Sequence, residues 1–433
     1  MSQSCNSRHF SWLMKSCFPN PNHTSPNSFS HPHSHIRLPL NVPDHCSLPT
    51  TVSSLPNDLL LECLSRVPPS SLPALSLVCL RWARLVQSPY FFDLRRRLGR
   101  LENFVFAVSA TDSGLYAASL RFHDDADALW KVAFFLPNDA VSLGSFHGLL
   151  SHARLSAVGH RIFIIGRNSM VSYDTWSGTV VARSGMIFHR KKFATAVVSG
   201  KIYAAGGGSR TSAVEEYDPD SDTWRVVAHA PRKRYGCIGA SVDGVFYVIG
   251  GLKIGASVDE SSRAANAEAH VYASSMDLYD VEARTWLRSR AVPGGGCVVA
   301  ACAAAGHVYV LASHAVELSF WRFDARRRTT SNSNNGSSVN SGFGEWCRLK
   351  SPPLLAQVRL DSTVRFSCVG VGVKVVLVQV TGCIDDLLRR SGRGLRGLRE
   401  GLVLLYDSAG GDWSRGADLP EVIRHAACVS VEC

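Results

Sequence analysis

Lys201-Ile-Tyr-Ala-Ala-Gly206-Gly207, then Glu216-Tyr217-Asp218, then Trp224: this stretch of the 433-residue chain decides its fold. A short apolar strand ends on a glycine pair, a second strand carries Tyr-Asp, and a tryptophan follows seven residues after the tyrosine. The grammar returns as Val245-Phe-Tyr-Val-Ile-Gly250-Gly251 with Tyr279-Asp280 and Trp286, and again as Tyr406-Asp407 with Trp413. Short runs with period-two alternation predict antiparallel strands. Recurrence at about 45 to 50 residues predicts a repeat architecture in which each unit is one small sheet. Degenerate copies fill the gaps. His160 to Gly166, Ser172-Tyr173-Asp174 and Val180 form one, with valine at the tryptophan position. His307 to Ala312, Arg322-Phe323-Asp324 and Trp346 form another, stretched by a Ser/Asn/Gly-rich segment at 329–344 that reads as a flexible surface loop.

The first unit begins late: Phe104 to Val108, Leu115 to Phe122 and Ala128 to Phe135 read as its second, third and fourth strands. The chain ends on Arg424-His425-Ala-Ala-Cys-Val-Ser-Val431, which has the pattern of an opening strand with nothing after it. This last strand is therefore expected to complete the first unit and close a ring of six, removing the open edges an unclosed ring leaves. The strand, glycine pair, Tyr-Asp and tryptophan together resemble the kelch repeat of β-propellers. The resemblance implies that Gly206, Gly207, Gly250 and Gly251 are structural glycines in tight turns. It implies likewise that Tyr217, Trp224, Tyr279, Trp286, Tyr406 and Trp413 pack between blades rather than act chemically.

Upstream of the repeats, residues 52–99 read as short amphipathic helices. Asn57 is the expected N-cap of the first, and Leu59, Leu60, Cys63, Leu64 and Val67 follow at helical spacing before Pro68-Pro69 ends it. Ser70 and Ser71 are candidates to cap the next helix. Leu72, Leu75, Val78, Cys79 and Trp82 continue the apolar face, and Pro89 precedes a last basic helix. A three- or four-helix unit this small buries little surface, so its apolar faces invite a partner. The order Leu55-Pro56, Leu59-Leu60, Leu64, Val67-Pro68, Leu75, Val78-Cys79, Trp82 and Ser88-Pro89-Tyr90-Phe91 resembles the F-box. That resemblance implies docking onto the Skp adaptor of a cullin ligase through Leu55, Pro56, Leu59, Leu60, Cys63, Leu64, Val67, Leu75, Val78 and Trp82. The blander reading is a helical cap on the propeller.

Composition bounds the rest. Residues 1–51 are rich in Ser, Asn, Pro and His with Asp44 as their one acid, a composition that predicts disorder; a transit peptide is the competing reading. No apolar run reaches membrane-spanning length, since 366–380 is broken by Gly370, Gly372 and Lys374. Thirteen scattered cysteines without a CxxC pair support neither zinc nor a disulfide framework, and predict a reducing compartment, cytoplasmic or nuclear, with mostly buried thiols. Gly392-Arg-Gly394-Leu-Arg-Gly397 satisfies GxGxxG but follows no strand of a βαβ unit, and Asp218, Asp220 and Asp222 lack the spacing of a calcium loop. No metal, cofactor or catalytic residue is expected.

A formal net charge of +11 favours acidic partners in general. The basic residues are dispersed and accompany no nucleic-acid motif, so nucleic acid is not the expected partner. In a four-stranded meander the connections between blades emerge on the same face as the turns between second and third strands. On that face fall Arg190, Lys191 and Lys192, Arg232, Lys233 and Arg234, Arg288 and Arg290, and Arg424, together with the inserts 252–272 and 382–400. They form a candidate face for an acidic or phosphorylated protein segment; the competing reading makes them solvated or interblade residues. Turns between third and fourth strands carry Asp124, Asp125, Asp127, Asp218, Asp220, Asp222, Asp407 and Asp412 instead, although Arg284 and Arg326 to Arg328 interrupt the acidic pattern. The expectation is a non-catalytic substrate receptor of an SCF-type ubiquitin ligase. The alternatives are a scaffold that does not direct degradation and a metal-dependent propeller enzyme.

Overall fold

The computed structural model describes residues 52–111, 114–122, 129–134, 153–208, 210–253, 272–314, 317–326, 344–354, 365–381, 401–423 and 426–433. The chain divides into two compact units, Met1–Arg100 and Leu101–Cys433. Residues 1–51, Asp124, Asp125, Asp127, the expected loop at 329–343, the GxGxxG segment and both inserts, apart from Leu252, Lys253 and Tyr272, lie outside the described residues.

Among its described residues the first unit holds four helices: α1 (Asn57–Leu64), α2 (Leu72–Val78), α3 (Leu80–Val86) and α4 (Pro89–Arg97), with single 3-10 turns at Val52–Ser54 and Pro69–Ser71. Its core is Leu60, Leu61 and Leu64 of α1, Leu72, Val86, Phe91 and Phe92. Capping differs from the sequence expectation. Pro56 holds the N-cap position of α1, and the Asn57 carboxamide instead accepts a 2.9 Å bond from Arg81 Nε. Ser71 precedes α2 without a side-chain bond, whereas Ser88 caps α4 by accepting from Phe91 N at 3.2 Å. Pro89 fits the first turn of α4, where a missing N–H costs nothing. Arg95 is fully buried and donates to the carbonyls of Ser65 (3.1 Å) and Val67 (2.7 Å), satisfying acceptors that the end of α1 leaves open.

The second unit is a ring of six four-stranded antiparallel sheets. Blade 2 runs Arg154–Val158, Arg161–Ile165, Met170–Asp174, Val180–Arg183; blade 3 runs Ala194–Val198, Lys201–Ala205, Ala213–Asp218, Thr223–His229. Blade 4 runs Ile238–Val242, Val245–Ile249, Ser275–Asp280, Thr285–Ala291, and blade 5 Cys297–Ala304, His307–Ser313, Leu318–Asp324, Trp346–Leu349. Blade 6 runs Arg365–Val371, Lys374–Thr381, Val403–Asp407, Trp413–Arg415. Blade 1 takes its inner strand, Ala427–Glu432, from the end of the chain and the other three, Asn103–Thr111, Gly114–Phe122 and Lys131–Phe134, from its beginning. The closing strand pairs from Val108↔Ala427 to Asn103↔Glu432, and the backbones of Glu102 and Cys433 exchange two further bonds of 2.8 and 2.9 Å. Successive inner strands touch all the way round, blade 6 against the closing strand and that strand against blade 2.

The seven-residue tyrosine-to-tryptophan spacing is a register. Tyr217↔Trp224, Tyr279↔Trp286 and Tyr406↔Trp413 stand directly opposite across the outer hairpin. Val180 stands opposite Tyr173, and Trp346 opposite Phe323 despite the long insertion between them. Each such tryptophan ring lies about one side chain away from its partner, as at 5.1 Å for Tyr217 and Trp224. The core sits between blades rather than within them: Phe163, Phe193, Ile202 and Tyr217 pack together from blades 2 and 3, and Tyr309, Phe320, Leu377 and Tyr406 from blades 5 and 6. Indole N–H groups reinforce this packing. Trp224 donates to Ser184 O (2.8 Å), Trp286 to His229 O (2.7 Å) and Trp413 to Lys350 O (2.7 Å), each across to the preceding blade.

The glycine pairs do more than turn the chain. Gly206 and Gly207 hold φ of 73° and 70°, and a Cβ on Gly207 would lie 2.5 Å from Lys191 O in the incoming connection. Of the nine described cysteines, Cys63, Cys79, Cys297 and Cys347 are exposed, so the thiols are less uniformly buried than the sequence suggests.

Candidate functional site

Two surfaces carry features that the fold does not consume. On the helical unit, Leu77 (86% exposed), Leu80 (76%), Val78 (58%) and Leu59 (51%) remain uncovered, with Cys63 and Cys79 also exposed. The cause is local. Cys79 is extended (φ −162°, ψ 164°), so it breaks what reads as one apolar helix face into α2 and α3 and turns the run Leu77-Val78-Cys79-Leu80 outward. Of the residues the sequence assigns to docking, Pro56, Leu59, Cys63 and Val78 are exposed, and Leu55, Val67, Leu75 and Trp82 are half-buried. Leu60 and Leu64 belong to the core of the unit itself. Leu77 and Leu80 are absent from the sequence assignment, although an unbroken apolar run in so small a unit was a signal for them.

On the propeller, the connections entering blades 3 and 4 each bring in an arginine that the sequence places on an exposed basic face. Arg190 and Arg234 are instead fully buried. Arg190 grips Glu215 Oε1 through Nε (2.9 Å) and Nη2 (2.7 Å) and also donates to Gly206 O (2.8 Å) and Ala213 O (2.7 Å). Arg234 does the same one blade on, with Asp277 Oδ2 (2.8 Å), Gly250 O (2.8 Å) and Tyr272 O (2.6 Å). Both are locks that tie a connection to the glycine turn and the third strand of its own blade. A buried guanidinium is tolerable because the carboxylate and carbonyls replace its hydration. Arg232 is drawn into the second lock, 3.3 Å from Asp277 Oδ1, with its guanidinium over the Tyr272 ring. Arg288 and Arg290 lie within the outer strand of blade 4 rather than in a connection, and Arg424 falls outside the described residues.

What remains for solvent is Lys191 and Lys233, both exposed, and Lys192, half-buried with Nζ over the Tyr235 ring. Two cations the sequence reading missed join Lys192. Arg154 and Arg365 are the first residues of the inner strands of blades 2 and 6. Arg154 donates to Phe193 O (2.8 Å) and Cys237 O (3.2 Å), where the inner strands of blades 3 and 4 begin. Burial, followed by the charges of Arg365 and Arg154, lowers the Lys192 ammonium below its usual value. The aspartates of the opposite turns have partners of their own: Asp218 pairs with Lys201 (2.9 Å), and Asp222 accepts from the Tyr217 hydroxyl (2.7 Å).

The F-box domain family matches residues 52–94, and the Kelch motif family matches residues 189–231, the stretch running from the Arg190 lock through blade 3. The F-box/kelch-repeat protein At5g26960 of Arabidopsis thaliana is 62% identical over 435 residues that span the whole of both chains. The F-box/kelch-repeat protein At1g67480 of the same plant is 28% identical over 46% of this chain and 54% of its own. The F-box protein AFR, also of Arabidopsis thaliana, is 32% identical over 42% of this chain and 50% of its own. Among solved structures, one titled "Structure of YjhT" aligns with 63% of this chain and 84% of its own at 16% identity and a TM-score of 0.43.

Proposed function

The chain belongs to the F-box/kelch-repeat family, and on that premise we propose that it is the non-catalytic substrate receptor of an SCF-type ubiquitin ligase, working in the cytoplasm or nucleus. The helical unit docks a Skp-family adaptor and, through it, a cullin. The propeller holds a protein target near a ubiquitin-loaded enzyme elsewhere in the assembly, so its contribution is proximity. One observation carries the reading: Leu77, Val78, Leu80 and Leu59 stay exposed in a unit matched by the F-box family, where a self-sufficient cap has every reason to bury them.

Lys191, Lys192 and Lys233 stand on the end of the propeller where connections and glycine turns emerge, which suits an acidic or phosphorylated segment of the target. Proximity labelling with and without proteasome inhibition tests the proposal, comparing the intact protein with a Leu77→Ala/Leu80→Ala form. Neighbours that accumulate on inhibition only with the intact protein support a degradative receptor. Neighbours unchanged by inhibition, with the adaptor still captured, replace it by a scaffold.

A further inference from the structure

The geometry points to a phosphoryl-binding site at the end of the propeller channel where the inner strands begin, formed by Arg154, Lys192 and Arg365. It rests on the reading of this end as the receptor surface and names the chemistry that surface selects.

Three observations converge there. The first is placement. Arg154 and Arg365 each open the inner strand of their blade, and Lys192 lies two residues ahead of the inner strand of blade 3, so all three stand at one end of the ring. Arg154 reaches from blade 2 to the carbonyls of Phe193 and Cys237, which lays its guanidinium across the entrances of blades 3 and 4. Arg365 approaches from blade 6, exposed, at a β-bulge between Arg365 and Phe366 of the kind that re-aims a side chain.

The second is missing compensation. The two fully buried guanidiniums of this face, those of Arg190 and Arg234, each have a carboxylate. Among the described residues, no carboxylate pairs with Arg154, Lys192 or Arg365, and the bonds of Arg154 to backbone carbonyls run through Nε and Nη2. Among the described residues, the first positions of the other inner strands, Phe193-Ala194, Cys237-Ile238, Cys297 and Ala426-Ala427, carry no Asp or Glu. The three cations also act on one another, since the Arg365 charge depresses both Arg154 and Lys192 after burial has done so.

The third is strain. Six described residues other than glycine have positive φ, and Ser199, Asp222, Asp243, Arg284 and Ala305 sit in hairpin turns. Lys192, at 52°, sits in a connection between blades, pinned by Gly236 N donating to its carbonyl at 2.8 Å. A bulky side chain held in that conformation marks a place where the fold gives up stability to aim a group.

One carboxylate leaves three converging cations mostly uncompensated. A phosphoryl group brings a charge near −2 and three acceptor oxygens, one for each cation. The test uses the full-length protein at fixed ionic strength, with thermal unfolding and titration calorimetry. The probes are inorganic phosphate, a degenerate peptide mixture with one fixed phosphoserine, and the same mixture with glutamate or serine at that position. The variants are Arg365→Gln and Lys192→Gln. Arg365 is exposed, and Lys192 meets only the face of the Tyr235 ring with its ammonium, so both substitutions are expected to leave the fold intact. Each is expected to weaken phosphate-dependent binding by about tenfold to a hundredfold and to melt no lower than the parent without anion. The phosphoserine mixture binding more tightly than phosphate identifies a peptide-borne group; phosphate binding as tightly identifies a free one. Equal responses in parent and variants mark an adventitious ion only and overturn the site, as does a glutamate mixture that binds as well as the phosphoserine one. Adaptor capture is measured on the same preparations, so loss of this site leaves the receptor proposal standing on its own result.

Discussion

Replacing Leu77 and Leu80 together by alanine separates docking from folding on the helical unit. The two side chains expose 86% and 76% of their surface. Full burial of a leucine contributes about 1.5 to 3 kcal/mol, so covering these fractions against an adaptor contributes about 1 to 2.5 kcal/mol each. Alanine forgoes most of that, about 2 to 4 kcal/mol for the pair, which weakens adaptor binding roughly 30-fold to 700-fold. Neither leucine packs inside the unit, so its stability should change by less than about 0.5 kcal/mol per site. Leu60→Ala is the mirror case. Leu60 is 1% exposed, and its truncation costs about 2 to 5 kcal/mol of stability, enough to unfold so small a helical unit. The assay is titration of the full chain with a Skp-family adaptor, with limited proteolysis of residues 52–99 as the folding readout. The expected pattern is a protease-resistant but weakly binding double variant and a protease-sensitive Leu60 variant. A double variant that binds the adaptor with parental affinity would refute the assignment of this face.

Three further predictions concern the ring. Arg190→Met leaves Glu215 buried without its partner and should cost about 3 to 5 kcal/mol in denaturant unfolding; a loss below about 1 kcal/mol would mean that Arg190 is solvated after all. Truncation after Pro420 removes the strand that pairs with Asn103–Val108 and opens the ring between blades 1 and 2; a lowered melting temperature and a tendency to aggregate are expected, and a truncated chain as soluble and stable as the intact one contradicts closure. Burial alone would raise the Asp174 carboxyl, but the hydrogen bond and charge of His160 and the backbone N–H groups of Ser177 and Trp176 outweigh it and bring the pKa down to about 2. Because that is below the unfolded value of about 3.9, the carboxylate form is favoured in the folded state, and its contribution to stability fades as pH falls from about 5 toward 2. Asp174→Asn should flatten this acid limb, and a variant whose stability falls as steeply as the parent's over that range disproves the linkage.

Much of the ring is legible in the sequence alone. Tyr217 and Trp224 are seven residues apart because a tight turn sets them opposite each other, and turn length fixes hairpin register locally. The unpaired strand signal at 424–431 and the late start of blade 1 likewise required only period-two patterning. Helix capping depends on more than the chain nearby: Asn57 has the right side chain for an N-cap, but Arg81, far along the chain, claims it.

Sequence by itself thus determined the repeat, the six blades and their closure, and the presence of a helical unit short of core, because each follows from spacing along the chain. Tertiary structure alone decided which charges and leucines face solvent. Arg190 and Lys191 are neighbours, yet one is locked onto Glu215 and the other is free, since burial depends on where the glycine turn of the blade meets the connection. Leu59 and Leu60 divide in the same way between surface and core. Arg154 and Arg365 carry no shared motif and open strands four blades apart in the sequence. Only the closing of the ring brings them, with Lys192, to the same mouth, because a propeller gathers the first residue of every inner strand at one end of its axis.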